Sequence, residues 1–250
     1  MIAFAYGVVV YVFFIAVFLY AIGFVGNIGV PRGLDSPPTG PAVQSLLIDL
    51  ALLTLFAVQH SVMARQGFKR WWTQLVPWAV ERSTFVLASS LALGALCWYW
   101  QPIEGVVWSV KDQMAVYAIQ AVFWLGWGVL LLATFLINHF ELFGLRQVYA
   151  HLKGIKIPHS EFRTPLFYKY VRHPIYVGFI FAFWATPEMS LGHLLFAVGG
   201  TGYILVGIWF EERDLITHFG DRYRTYREQV GMLLPRLGRR SGSGPAAKPG

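Results

Sequence analysis

The residues best suited to chemistry fall in two runs in the last third of the chain. The first is Tyr168-Lys169-Tyr170-Val171-Arg172-His173-Pro174-Ile175-Tyr176-Val177-Gly178. Its proline lacks a backbone donor and is favoured in the first turn of a helix. His173 then falls at or near a helix N-cap, beside unpaired N–H groups and the positive helix end, a suitable place to hold a carboxylate. Gly178, one turn later, lets another element pack closely. The second run is Glu211-Glu212-Arg213-Asp214-Leu215, followed by Phe219-Gly220, Tyr223, Tyr226, Val230 and Pro235. Three acids beside an apolar helix end need water or partners. Arg213, Arg222 and Arg224 could make a surface salt-bridge cluster with them. Alternatively, a hairpin between the two runs brings Glu211 towards His173, so that cation, imidazole, acid and aromatic rings converge.

A second set of polar residues lies within or beside apolar segments. Asn138, His139 and Glu141, followed by Phe143-Gly144-Leu145-Arg146-Gln147, exceed what a simple helix exit requires. His60, flanked by Gln59 and Ser61, could line a cavity or make a hydrogen bond between helices. Asp49 reads as structural. A charged group at mid-bilayer costs about 2.5–3.5 kcal/mol, so each of these needs a reason. Cys97 is the single cysteine. It lies in an apolar run with no Cys/His neighbourhood, which argues against disulfide, redox and zinc roles.

The elements that must position these groups follow from composition. The 250 residues are 56% hydrophobic and 13% charged, with a mean hydropathy of +0.52. Soluble domains carry about 25% charged residues. This chain lacks the polar residues to cover a globule in water, and lipid is the solvent it fits. The expected fold is all-α: a polytopic membrane bundle of five to six transmembrane helices, ending in a helical hairpin. Spans are expected at Ala3–Val25, Val43–Met63, Ser83–Trp100, Ala115–Ile137 and Leu191–Phe210, with a short apolar run at Ile175–Thr186 and a tight turn at Pro187-Glu188. Twelve helical residues cover about 18 Å of a core of about 30 Å, so the fifth segment is short for a span. No basic region precedes the first span, which favours a retained helix over a cleaved signal peptide.

All but two of the 20 Lys and Arg fall after spans two, four and six; the exceptions are Arg32 and Lys111. By the positive-inside rule this places both termini and the Arg172–Glu211 region in the cytoplasm. The net charge of +7 is then topological, and the expected partner is the bilayer rather than nucleic acid. Three regions are expected: a four-helix membrane region over 1–137, a core carrying the site over 138–237, and a Gly/Ser/Pro-rich tail over 238–250. The residues carry no signal for oligomeric state.

Arg-His-Pro-x-Tyr-x-Gly followed, after a hairpin, by Glu-Glu-x-x-Leu-x-x-x-Phe-Gly-x-x-Tyr-x-x-Tyr resembles the isoprenylcysteine carboxyl methyltransferase superfamily, over about Glu161–Pro235. The resemblance implies S-adenosyl-L-methionine held at the cytoplasmic ends of the hairpin by Tyr168, Arg172, His173, Pro174, Ile175, Tyr176, Glu211 and Glu212, with Ser160–Arg163 as a backbone strip along it. One position departs. The prenylcysteine enzymes have a substrate-binding arginine four residues before the glutamate, and here it is Gly207, which speaks against a prenylated carboxylate substrate. The stretch Asn138–Gln147 resembles the NnrU-like branch. Together these imply in-line methyl transfer to a small thiol, methanethiol, giving dimethyl sulfide at a bacterial inner membrane. No metal is required. His139, Glu141, Arg146 and His60 are the candidate bases or thiolate stabilisers. Methylation of a phospholipid or isoprenoid, reductase chemistry and a non-catalytic NnrU-like role stay open.

Overall fold

The structure is a computed structural model that describes residues 1–158 and 162–236. Among the described residues, five helices are long and apolar enough to cross a membrane: α1 (Ile2–Gly26), α2 (Ala42–Ala64), α4 (Trp78–Tyr99), α5 (Gln113–Ile137) and α9 (Leu191–Phe219). Shorter helices join them: α3 (Gln66–Trp72), α6 (His139–Leu142), α7 (Leu145–Lys153), α8 (Pro174–Trp184) and α10 (Asp221–Gln229). The protein is therefore a polytopic helical bundle whose last two apolar helices, α8 and α9, form a hairpin. The long helices are apolar nearly all round, as expected where lipid rather than water meets the outer face.

α8 is short, as its sequence indicates, and it packs principally along α5. Close approach explains the fit. A Cβ at Gly178 would lie 2.6 Å from the Gly126 carbonyl oxygen, and one at Gly126 would lie 2.7 Å from that of Gly178. The two backbones touch where both residues lack side chains. Around this contact Phe24, Leu96, Trp100, Phe123, Trp127, Phe183, Phe196 and Ile208 form the main buried cluster.

Three features differ from the expectation. Pro187-Glu188 does more than turn the chain. Strand β2 (Glu188–Ser190) pairs antiparallel with β1 (Val106–Ser109), and Val110 N–H donates to the Pro187 carbonyl at 2.9 Å. A two-stranded sheet thus closes the end of the bundle opposite the two chemically loaded runs. Second, α9 continues past Phe210 to Phe219. A helix of 29 residues is about 43 Å long, so its last turns clear a core of about 30 Å, and Glu211, Glu212 and Asp214 are helical residues at the rim. Third, the chain after α10 returns to the start of α8: Val171 bridges Gly231 in parallel. Asp49 has the structural role expected of it, accepting the Gln101 N–H at 2.8 Å just beyond α4. The tail over 238–250 lies outside the described residues.

Candidate active site at the α8–α9 rim

The site begins with Pro174 at the first position of α8 and His173 as its N-cap. Tyr176 and Val177 N–H both turn back to the His173 carbonyl at 3.1 Å. This leaves the Ile175 N–H as the helix-end donor without a backbone partner among the described residues. The preceding strand-like stretch is held from the C-terminal side. Arg172 N–H donates to the Gly231 carbonyl at 2.8 Å and His173 N–H to that of Met232 at 3.2 Å. The returning segment therefore fixes the backbone from which both side chains project.

α9 supplies the acids. Glu212 is buried, and its Oε1 accepts from Arg172 Nε at 2.7 Å and lies 3.1 Å from His173 Nε2. Arg172 Nη1 also donates to the carbonyls of Arg227 at 3.1 Å and Val230 at 2.5 Å. Burying an ion pair is favourable only when the remaining hydrogen-bonding capacity is met, and here the C-terminal carbonyls meet it. Glu211 differs from its neighbour. Its side chain is 45% exposed, and its Oε2 lies 3.7 Å from His173 Nδ1 and accepts from the Tyr176 hydroxyl at 2.9 Å. Its Oε1 has no partner among the described residues. The hairpin thus brings Arg172, His173, Tyr176, Glu211 and Glu212 into one cluster, with Pro174 and Ile175 in the first turn of α8.

Tyrosines form the wall. The Tyr226 hydroxyl donates to the Tyr168 carbonyl at 2.5 Å. The hydroxyls of Tyr168 and Tyr223 are buried with no hydrogen-bond partner among the described residues. Burial raises the pKa of both phenols; the Glu211 carboxylate adds to the rise at Tyr168, and those of Glu212 and Glu211 add to it at Tyr223. Both stay neutral donors beside the two acids. Phe162 packs against Phe219, Tyr223 and Tyr226. Of the expected backbone strip, Ser160 and Glu161 lie outside the described residues. Orphaned hydroxyls, a free carboxylate oxygen and an unpaired helix-end N–H suit a polar, cationic ligand with hydroxyl, amino and carboxylate groups. Buried polar atoms without partners are costly unless something outside the chain meets them.

The four candidate catalytic residues divide into two places. His139 is buried, with Nε2 2.8 Å from the Tyr11 hydroxyl and Nδ1 2.8 Å from Thr134 Oγ1, and its ring stacks on Phe135 at 4.1 Å. Burial also lowers its pKa. Glu141 is paired with Arg146 and accepts from Asn138 Nδ2 at 2.6 Å. These residues join α5, α6 and α7 to α1, and none bonds to the His173 cluster. His60 lies elsewhere, on α2. Its Nδ1 is 3.1 Å from Ser89 Oγ, its Nε2 has no partner among the described residues, and it lies between Phe85 and Tyr203. The parallel segment 230–232 and Arg227 are site components that motif spacing did not disclose; only Val230 carried a signal.

No protein-family model matches the chain, and no solved structure does. Curated relatives match over nearly its whole length. Methanethiol S-methyltransferase from Mycobacterium tuberculosis is 55% identical over 230 residues, 92% of this chain and 94% of the relative. The enzyme of the same name from Pseudomonas deceptionensis is 55% identical over 219 residues, 88% of this chain and 84% of the relative. Nurim from Rattus norvegicus is 31% identical over 183 residues, 68% of each chain. On this similarity, the chain belongs to the methanethiol S-methyltransferase family.

Proposed function

We propose that the protein methylates methanethiol to dimethyl sulfide with S-adenosyl-L-methionine as the methyl donor, at the cytoplasmic rim of a bacterial inner membrane. The observation that carries the assignment of the donor site is Glu211: half-exposed, with its Oε2 oriented by the Tyr176 hydroxyl and 3.7 Å from the His173 imidazole, and its Oε1 without a partner among the described residues. Bound there, S-adenosyl-L-methionine supplies an electrophilic methyl group on a sulfonium. Glu211 as acceptor, with the Ile175 N–H and the hydroxyls of Tyr168 and Tyr223 as donors, would hold it. Arg172 and Glu212 lock the His173-Pro174 entry in place. Residues 138–237 carry this site on the membrane region formed by 1–137.

The donor would supply the methyl group to a deprotonated thiol sulfur, so the thiol proton must first pass to a base of the chain. The chain's part is to align the sulfur and favour the thiolate, since free thiols have a pKa of about 8.5. Of His60, His139, Glu141 and Arg146, His60 is best placed to take the proton, because its Nε2 is uncommitted and its neighbour Tyr203 lies two turns from Glu211 on α9. The other three hold the α5–α7 corner together. An apolar volatile thiol reaches such a site through lipid, which accounts for a membrane enzyme acting on so small a substrate. The test is headspace analysis of membranes given methanethiol and methyl-labelled S-adenosyl-L-methionine. Labelled dimethyl sulfide is expected, and its absence with folded, donor-binding protein would reject the reading.

A further inference from the structure

α9 carries five glycines within its range, and four have a simple explanation. A Cβ at Gly192, Gly199 or Gly200 would come within 3.0 Å of Ile103 N, 3.1 Å of Leu53 or 2.9 Å of Phe183, so these positions are closed by packing. Gly202 is exposed with nothing near it, on the lipid-facing side. Gly207 fits neither case. It is half-buried, yet a Cβ there would meet only the Tyr176 hydroxyl, at an ordinary 3.9 Å. Alanine would fit without strain and would favour the helix, because glycine weakens a helix interior. Packing gives no reason for a glycine at this position.

Its surroundings give one. Residues four apart share a helix face, so Tyr203, Gly207 and Glu211 form one stripe, all half-buried. At the Glu211 end the Tyr176 hydroxyl bonds the carboxylate. At the other end Ser61 Oγ donates to the Tyr203 hydroxyl at 3.5 Å, and the His60 ring stands edge-on to Tyr203 with centroids 6.3 Å apart. Polar groups at this depth mark function by default. Gly207 is thus a gap in a wall of phenols and imidazole, about 6 Å below Glu211 along the helix.

We infer that the vacancy over Gly207, between the hydroxyls of Tyr176 and Tyr203, is the methyl-acceptor pocket, and that the missing side chain sets the size of thiol admitted. This rests on the reading of Glu211 as part of the donor site. A thiol of two heavy atoms matches the space of a small side chain. Its sulfur faces the Tyr203 hydroxyl, which accepts from Ser61 and keeps its own proton to donate, while its methyl group lies against the helix backbone beside the Tyr176 oxygen, whose proton is given to Glu211.

The experiment compares Gly207→Ala, Gly207→Leu and, as a control on the same helix, Gly202→Leu, in detergent-solubilised full-length protein. Donor affinity is measured by calorimetry, and KM and kcat are measured for methanethiol, ethanethiol and propanethiol. Gly207→Ala is expected to raise KM for methanethiol at least about tenfold and to penalise ethanethiol further. Gly207→Leu is expected to abolish turnover, with donor affinity unchanged in both. Gly202→Leu should match the wild type. Unchanged KM and size preference in both Gly207 variants would overturn the inference, as would a loss of donor affinity that accounts for the kinetic change. Failure of the wild type to bind the donor or to make dimethyl sulfide would instead overturn the parent reading.

Discussion

Tyr176 donates its hydroxyl to Glu211 Oε2 across the α8–α9 hairpin at 2.9 Å. This contact divides two adjacent acids between two tasks. Glu211, oriented by a phenol and open to solvent, can accept from a ligand. Glu212, one residue on, is consumed by Arg172 and His173 inside the protein. The distinction follows from helix geometry: neighbours on a helix point about 100° apart, so one faces the cleft and the other the packed α10 side.

Glu211→Gln is therefore expected to lower S-adenosyl-L-methionine affinity at least about tenfold, the loss of one charge-assisted hydrogen bond to a ligand, and to leave the thermal midpoint nearly unchanged. Glu212→Ala should destabilise the fold by about 3–5 kcal/mol, because it strands the buried Arg172 guanidinium. Calorimetry and thermal unfolding in detergent separate the two. Equal effects on both readouts for both variants would refute the division.

The returning segment gives a second prediction. A Cβ at Gly231 would run into the Leu234 carbonyl oxygen, so Gly231→Ala must displace the stretch whose carbonyls hold the Arg172 and His173 N–H groups. Donor affinity should fall by an order of magnitude or more, since two backbone bonds at about 1 kcal/mol each and the Arg172 anchor are perturbed together. Limited proteolysis of the C-terminal segment should quicken in parallel. Normal affinity in this variant would show that the clamp is dispensable.

Much of this was legible in the residues and some was not. The apolar lengths gave the five long helices, and Arg172-His173-Pro174 with Glu211-Glu212 gave the pairing across the hairpin, because proline placement and helix-end charge are local rules. The assignments of Arg172 and Glu212 to an internal lock were hidden, since Arg, His and Glu look alike whether they meet a ligand or one another. The β1–β2 pairing and the Val171–Gly231 bridge were also hidden. Their strands are too short to show alternation, and each joins segments far apart in the chain. His139 was ambiguous for a different reason: only tertiary contact shows that Tyr11 and Thr134 occupy both ring nitrogens.

A third prediction concerns the opposite end of the bundle. Asp35 Oδ2 lies 2.9 Å from His193 Nδ1, and Asp35 Oδ1 accepts from Ser190 Oγ at 2.5 Å, tying the loop after α1 to the start of α9. Burial alone would raise the Asp35 pKa, but the hydrogen bonds and charge of His193, with Ser190 and Asn27, lower it overall. A carboxylate depressed on folding contributes stability that is present above its unfolded pKa of about 3.9 and is lost as pH falls through the lower folded value. Asp35→Asn should therefore lower the thermal midpoint at neutral pH, and the gap from wild type should narrow in acid below about pH 4. A gap independent of pH would exclude the ionised Asp35 carboxylate as its source.

The last prediction separates the two histidines. His60→Ala removes the free Nε2 from the Tyr203 side of the stripe while leaving the α8–α9 cluster untouched. If that nitrogen takes the thiol proton, kcat should fall by about 10²–10⁴ with donor affinity preserved. His139→Ala removes a buried ring that bridges α1 and α5 through Tyr11 and Thr134. It should lower stability by about 3 kcal/mol or more, through a cavity and two broken hydrogen bonds, and activity should track the folded fraction. Single-turnover methyl transfer measured on variants matched for folded protein distinguishes the two. A chemical-step defect confined to His139→Ala, with His60→Ala at wild-type rate, would move the proton acceptor to the α5–α7 corner. The stability difference would still hold, because it depends only on the contacts of the His139 ring.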